Sequence, residues 1–219
     1  MVSPVHAARV SFDTSLHDGC GRRNRRDRHE GEPVSAVFLD RDGTVIEEIG
    51  YLDRPERVEL YPFATHAIRA FNRAGLPVVL VTNQSGIARG FFDDKVVEKV
   101  HEHIADLLAL GGAHIDAYYY CPHHPDGHVA PYDVPCECRK PGRGLVDRAA
   151  RELGIDPATS FTVGDRWVDV GLARSIGGRG VLVRTGYGAI AEHRPPEGMR
   201  ADVVVNNLVE AASWILANR

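Results

Sequence analysis

Two carboxylates, Asp40 and Asp42, stand two residues apart directly after the apolar run Ala36–Leu39. Such a run is typical of a strand that is buried on both faces. Gly43 follows and permits a tight backbone turn. Two neighbouring carboxylates at the end of a buried strand repel each other and are costly to desolvate. The pair therefore indicates a cation site or a reaction centre, and an ordinary Asp-Gly turn is the structural alternative.

Three further groups of residues that could take part in a reaction follow along the chain. The Thr82 hydroxyl and the turn amides after it can hold phosphoryl oxygens, unless the hydroxyl only bonds the local backbone. Lys140, beside Arg139, can neutralise charge developing on a phosphoryl group, unless the two form a solvated basic pair. Asp165 follows Gly164 at the end of another apolar run. Together these groups predict phosphate chemistry.

A second cluster has the composition of a zinc site, because four N/S ligands complete tetrahedral Zn²⁺ and leave no open position. Positions i and i+2 of extended backbone share a face, so two closely spaced ligand pairs can converge. We expect a structural zinc ion that organises the loop 121–138 and acts on specificity rather than chemistry; buried free thiols are the alternative. His124 and His128 are expected to be solvated loop residues. The predicted ligands are Cys121, His123, Cys136 and Cys138.

The elements that must position these groups alternate between strand-like and helix-like segments. This order predicts an α/β fold with a mainly parallel sheet covered by helices on both faces, whose ligands bind at the carboxyl ends of the strands. The predicted strands are Ala36–Asp40, Pro77–Thr82, Ile115–Tyr120, Phe161–Gly164, Gly180–Val183 and Asp202–Val205. The predicted helices are Ala64–Ala74, Asp93–Leu110, Gly144–Leu153, Asp165–Ile176 and Leu208–Ala217.

The bulk properties indicate one domain, residues 35–219, after an arginine-rich tail, residues 1–34. The chain has 219 residues, is 43% hydrophobic and carries a net charge of −4, so a basic footprint for nucleic acid is absent. No apolar run is long enough to cross a membrane, and no signal-peptide core is present. We expect a cytoplasmic monomer without nucleic-acid or membrane partners. The tail has little to bury and is expected to be disordered, with an RNA- or phosphate-binding arm as the alternative.

The motifs resemble those of the haloacid dehalogenase (HAD) superfamily of phosphohydrolases. The matching strings are Phe38–Thr44, Thr82–Gly90, Arg139–Pro141 and Val163–Asp169. The resemblance implies that Asp40 is the nucleophile, that Asp42 is the general acid/base, and that Thr82 and Lys140 assist catalysis. It also implies catalytic Mg²⁺, bound by Asp40, the Asp42 backbone carbonyl and Asp165. Asp169 is interpreted either as a helix N-terminal carboxylate or as a residue supporting the site.

Within the superfamily, the chain resembles the D-glycero-D-manno-heptose 1,7-bisphosphate 7-phosphatase family. The long loop between the zinc-ligand pairs favours this family over the histidinol-phosphate phosphatases. The resemblance implies a Rossmannoid fold without a large cap domain, a phosphorylated sugar as substrate, and a place in nucleotide-activated heptose biosynthesis. Two departures are present: Arg166 replaces the usual lysine, and Glu48-Ile49 replaces the usual Asp-His. The implied substrate-binding residues are Glu48, Gly50, Tyr51, Asn83, Gln84, Ser85, Arg139 and Arg166.

The implied reaction is a two-step phosphoryl transfer through an aspartyl-phosphate on Asp40, with Asp42 first protonating the sugar oxygen and then deprotonating water. Three other functions are the alternatives. Histidinol-phosphate phosphatase or another sugar-phosphate phosphatase would use the same motifs. A nucleic-acid 3′-phosphatase conflicts with the acidic pI of about 6.2. A zinc-containing nucleic-acid-binding module would leave the five catalytic candidates unexplained.

Overall fold

The computed structural model describes residues 34–219. The predicted tail lies outside these residues except for Val34, which pairs with Ile155 in an isolated bridge. Cys20 also lies outside them. The boundary between tail and domain therefore stays a prediction.

The described residues form one six-stranded sheet in which every neighbouring pair is parallel. The strands are β1 (Val37–Leu39), β2 (Val78–Asn83), β3 (Ala117–Cys121), β4 (Phe161–Gly164), β5 (Arg179–Val183) and β6 (Val203–Val205). The apolar runs become strands because both of their faces are covered. The strand order is β3-β2-β1-β4-β5-β6, so the first strand lies inside the sheet with β2 on one side and β4 on the other.

Helices cover both faces of this sheet, and successive strand residues point to opposite faces. The helices are α1 (Ala64–Arg73), α2 (Asp94–Leu110), α3 (Gly144–Leu153), α4 (Trp167–Ile176), α5 (Gly188–Ala191) and α6 (Leu208–Asn218). Two short 3-10 helices span Pro55–Arg57 and Pro157–Thr159. Val37 and Leu39 of β1 pack with α1, α2 and α6, whereas Phe38 packs with α3 and α4.

The predicted fold class is confirmed, and all six predicted strands and five predicted helices are present with small shifts of their ends. Helix α4 begins at Trp167 rather than Asp165, because the Asp169 carboxylate accepts the Arg166 N–H and caps the helix there. Helix α5 and both 3-10 helices were not predicted. Residues 40–63, between β1 and α1, contain only bridge pairs and one 3-10 helix, so the described part of the chain has no large cap domain.

This topology fixes where a ligand can bind. From β1 the chain moves outward through β2 and β3, and then returns to the other side of β1 as β4. A crevice forms at the carboxyl ends of strands where the order reverses. Among residues 34–219, no helix is long and apolar enough to span a bilayer.

Candidate active site

Asp40 follows β1 and enters the crevice with one carboxylate oxygen already engaged. Its Oδ1 atom accepts the Arg41 N–H at 2.8 Å and lies 2.7 Å from Lys140 Nζ. Among the described residues, no group donates a hydrogen bond to Oδ2. Burial raises the pKa of Asp40, and the Lys140 charge offsets part of this rise. Asp40 therefore presents one held oxygen and one that remains available to a reactant.

The Asp42 carboxylate accepts hydrogen bonds from two side chains, and neither contact was predicted from the sequence. Arg41 is almost fully buried, and its Nε and Nη2 atoms donate to the Asp42 carboxylate at 3.0–3.2 Å. Gln84 Nε2 donates to Asp42 Oδ2 and to Thr82 Oγ1, both at 2.9 Å. Arg41 and Gln84 thus fix the direction of the second carboxylate.

Lys140 uses all three of its ammonium protons within the protein. Its Nζ atom lies 2.7 Å from Asp40 Oδ1 and 2.6 Å from Asp169 Oδ1, and it donates to the Val81 carbonyl at 2.8 Å. Burial alone would lower the pKa of Lys140, but the two carboxylates outweigh it and raise the pKa to about 12. Asp169 therefore supports the site through Lys140, and it also caps helix α4.

Asn83 reaches across to the backbone of Lys140. Its Oδ1 atom accepts the Lys140 N–H at 2.9 Å, and its Nδ2 atom donates to the Lys140 carbonyl at 3.2 Å. Both polar ends of the Asn83 side chain are thus engaged in this arrangement. The geometry favours a role in placing Lys140, and the predicted contact of Asn83 with substrate stays a prediction.

Thr82 and Ser85 flank the turn after β2. Thr82 is buried, and because its Oγ1 atom accepts from Gln84, its own O–H proton remains available to donate. Ser85 is half-buried in the turn that follows. Both positions suit donors to phosphoryl oxygens, and these two roles stay predictions.

Asp40, Asp165 and Asp169 form a buried group in which one oxygen from each lies within 4.8 Å of the others. When all three carboxylates are ionised, Lys140 offsets one of their negative charges and two remain uncompensated. Burial and the Asp40 charge raise the pKa of Asp165, and Asp165 Oδ1 has no hydrogen-bond partner among the described residues. An oxygen-only donor set with two uncompensated charges fits a divalent cation such as Mg²⁺.

A further group of predicted residues lies beside this cluster. Arg166 Nη2 lies 3.5 Å from Glu48 Oε2, and its guanidinium stacks over the Tyr187 ring at 4.1 Å. Glu48 Oε1 accepts the Gly50 N–H at 2.7 Å. Burial raises the pKa of Glu48, and the charge of Asp42 acts in the same direction. The structure therefore brings Glu48, Gly50 and Arg166 together, with Tyr187 as an additional partner.

Two other predicted substrate-binding residues lie on neighbouring loops. The Tyr51 ring meets Phe91 edge to face at 4.4 Å, and both rings are exposed. Arg139 Nη1 donates to the His123 carbonyl at 3.3 Å, so this cation is tied to the loop 121–138. His124, expected to be solvated, is instead half-buried, with its ring about 3.5 Å from Arg89 Nη2.

The predicted zinc ligands converge on one point. The three sulfur atoms are 3.2–3.5 Å apart, and His123 Nδ1 lies 3.3 Å from Cys138 Sγ. A disulfide requires about 2.05 Å, whereas Zn–S bonds of about 2.3 Å in a tetrahedron separate sulfurs by roughly 3.8 Å. The hydrogen bond with Cys121, together with burial, raises the pKa of Cys138. The cluster fits Zn²⁺ and not a disulfide.

The loop that carries these ligands is anchored to the sheet by Asp94, at the start of helix α2. Asp94 accepts hydrogen bonds from Tyr132 of the loop at 2.5 Å and from Tyr120 of β3 at 2.9 Å. The Tyr132 ring lies 5.8 Å from the His123 ring. Asp94 therefore anchors the loop at Tyr132 through a contact that does not involve the predicted zinc ligands.

Comparison with known proteins agrees with this geometry. The HAD-hydrolase-like family model matches residues 137–211. A D-glycero-beta-D-manno-heptose-1,7-bisphosphate 7-phosphatase of Yersinia pestis is 43% identical over 188 residues, which are 85% of this chain and 97% of the relative. The D-glycero-D-manno-heptose-1,7-bisphosphate 7-phosphatase of Thermosynechococcus vestitus is 39% identical over 188 residues, which are 84% of this chain and 96% of the relative.

A solved structure is similar as well. The D,D-heptose 1,7-bisphosphate phosphatase of B. bronchiseptica, complexed with magnesium and phosphate, superposes with a TM-score of 0.74 at 34% identity. The match covers 85% of this chain and all of that chain. These similarities confirm the resemblance that the motifs indicated. The chain belongs to the D-glycero-D-manno-heptose 1,7-bisphosphate 7-phosphatase family of HAD-like phosphatases.

Proposed function

We propose that this chain is a magnesium-dependent phosphatase that removes the 7-phosphate of D-glycero-D-manno-heptose 1,7-bisphosphate. The observation that carries the proposal is the state of Asp40, with Oδ1 fixed by Lys140 and a backbone amide while Oδ2 remains available in the crevice. The names of the relatives support the substrate, and the bound magnesium and phosphate of the solved relative support the metal and the chemistry.

In the first step, Asp40 Oδ2 attacks phosphorus, and the bond from phosphorus to the sugar oxygen breaks. A protonated Asp42 delivers its proton to that oxygen, so the sugar leaves as a neutral alcohol. Arg41 and Gln84 hold the Asp42 carboxylate in place for this transfer. The product on the enzyme is an aspartyl-phosphate on Asp40.

In the second step, water attacks the phosphorus of the aspartyl-phosphate, and Asp42 accepts the proton that the water loses. Asp40 is released as a carboxylate together with inorganic phosphate. The Thr82 hydroxyl would donate to the phosphoryl oxygens. Lys140 stays beside Asp40 Oδ1 throughout and opposes the negative charge of the site. Mg²⁺, held by Asp40, Asp165 and the Asp42 backbone carbonyl, would supply further charge neutralisation to the phosphoryl group.

The remaining assignments complete the proposal. Zn²⁺ held by Cys121, His123, Cys136 and Cys138 would fix the loop 121–138. Glu48, Tyr51, Arg139 and Arg166 would contact the sugar and its second phosphate. Each of these side chains has a partner in the protein that a substrate could share or displace.

The test is phosphate release from both anomers of the heptose bisphosphate, from fructose 1,6-bisphosphate and from histidinol phosphate. Phosphorus NMR should show loss of the 7-phosphate signal and retention of the 1-phosphate signal. Asp40→Asn should abolish turnover without unfolding the chain, while Asp106→Asn, an exposed carboxylate of helix α2, should match the wild type. Preferred turnover of histidinol phosphate, or full activity of Asp40→Asn, would overturn the assignment.

A further inference from the structure

The loop after β5 belongs to none of the motifs above, yet it closes over the catalytic edge of the sheet. In the sheet, β4 lies between β5 and β1. Thr185 follows β5, and its Oγ1 atom donates to the Gly43 carbonyl, after β1, at 2.6 Å across 142 residues. The loop therefore passes over the end of β4, where Asp165 lies.

Two glycines pack against the Oδ2 atom of the Asp165 carboxylate. Gly43 has φ 76° and Gly186 has φ 55°, a backbone region that glycine adopts without strain. A Cβ atom on either residue would lie 2.3 Å from Asp165 Oδ2, and one on Gly186 would lie 2.6 Å from the Gly43 Cα atom. The two turns are thus packed directly on the carboxylate.

The same loop distinguishes the two oxygens of Asp165. The Tyr187 N–H donates to Asp165 Oδ2 at 2.7 Å, whereas Oδ1 is buried and has no hydrogen-bond partner among the described residues. A neighbouring donor that occupies one oxygen fixes the carboxylate rotamer and directs the other oxygen to the cation. The hydrogen bond from Tyr187 therefore orients Asp165 for metal binding.

We infer that Thr185 is a positioning residue for the magnesium site. Its hydroxyl ties the loop after β5, which orients Asp165, to the turn after β1, which carries Asp40 and Asp42. The inference rests on the proposed function only in taking Asp40, Asp165 and the Asp42 backbone carbonyl as the cation site. It assigns the loop a role in metal affinity, whichever phosphate ester the enzyme hydrolyses.

The test measures Mn²⁺ binding to the zinc-loaded protein by electron paramagnetic resonance, with Mg²⁺ as competitor and no substrate present. Thr185→Val, which keeps the shape and loses the donor, should weaken both affinities by about 10-fold or more. Thr185→Ser should restore most of the affinity. Thr159→Val is the matched control, because Thr159 precedes β4 at the opposite edge of the sheet.

Unchanged affinity in Thr185→Val, or equal losses in Thr185→Val and Thr185→Ser, would overturn the inference. A second pair isolates the backbone donor: Tyr187→Pro lacks the N–H and should lose Mn²⁺ affinity, while Tyr187→Ala keeps the N–H and should retain it. A purely structural role would lower the melting temperature of Thr185→Val without changing the Mn²⁺ dissociation constant. Because no substrate is used, failure of the phosphatase assay would leave this result unaffected.

Discussion

The buried Lys140 ammonium provides the sharpest test of how the site is held together. Lys140→Met keeps a similar length and removes the charge. The variant leaves Asp40 and Asp169 without their cation and the Val81 carbonyl without its donor. Removing one partner of a buried ion pair costs about 3–5 kcal/mol, because the other charge stays buried and uncompensated. We expect the free energy of unfolding to fall by about that amount.

The loss of unfolding free energy should be smaller when the facing carboxylate of Asp169 is neutralised as well. In the double variant Lys140→Met/Asp169→Asn, one of the two abandoned carboxylates becomes neutral. The double variant should therefore be more stable than the sum of the single effects, by about 0.5–3 kcal/mol. Adding Mg²⁺ should recover part of the stability of Lys140→Met, since a cation that binds only the folded chain favours folding.

The assay is urea unfolding followed by circular dichroism, in magnesium-free buffer without a chelator so that zinc is retained. Lys99→Met is the matched control, because Lys99 is exposed on helix α2 and should change stability by no more than about 0.5 kcal/mol. In turnover, Lys140→Met should lose about 10²- to 10³-fold in kcat, as when one preorganised electrostatic group is deleted. A Lys140→Met variant within about 1 kcal/mol of the wild type would refute the reasoning.

Three further predictions follow from separate parts of the structure. Cys136→Ala should lower the zinc content, measured by atomic absorption, and should lower the melting temperature; full zinc content would contradict the ligand set. Burial lowers the pKa of His101 well below its usual 6.5, so as the pH falls the unfolded chain takes up a proton on this residue before the folded chain does. The free energy of unfolding of the wild type should therefore fall as the pH drops below about 6.5. His101→Leu should show a smaller fall between pH 7 and pH 5 in urea titrations. Gly43→Ala should impair turnover far more than Gly198→Ala. Both glycines have a positive φ, but only at Gly43 would the new Cβ atom lie 2.3 Å from Asp165 Oδ2. Equal activity of the two variants would argue against this clash.

The sequence was sufficient to predict elements whose residues carry their own signal. The apolar run before Asp40 became β1 because both of its faces are buried, and Asp165 fell at the matching end of β4 for the same reason. The four zinc ligands were predicted from composition and spacing, and they converge as expected. In each case the information lies within a few residues of the group concerned.

The groups that were not predicted depend on contacts between distant segments. Arg41 lies between two catalytic candidates, but nothing local indicated that its guanidinium would fold back onto Asp42. Thr185 is brought to Gly43 by the pairing of β4 and β5 with the rest of the sheet. Asp169 was interpreted as a helix carboxylate or a supporting residue, and the structure shows both roles, because one oxygen caps α4 and the other meets Lys140.

The position of Lys140 also changes the expected role of zinc. Cys138, a predicted zinc ligand, lies two residues before Lys140. Cys121, a second predicted ligand at the end of β3, is joined to the turn after β2, since the Gln84 N–H donates to the Cys121 carbonyl at 2.8 Å. Asn83, in the same region at the end of β2, accepts a hydrogen bond from the Lys140 backbone N–H. Lys140 is therefore held between the predicted zinc ligands and the turn after β2. Loss of zinc should therefore lower kcat as well as alter specificity, because it frees one of the two supports that place Lys140 beside Asp40.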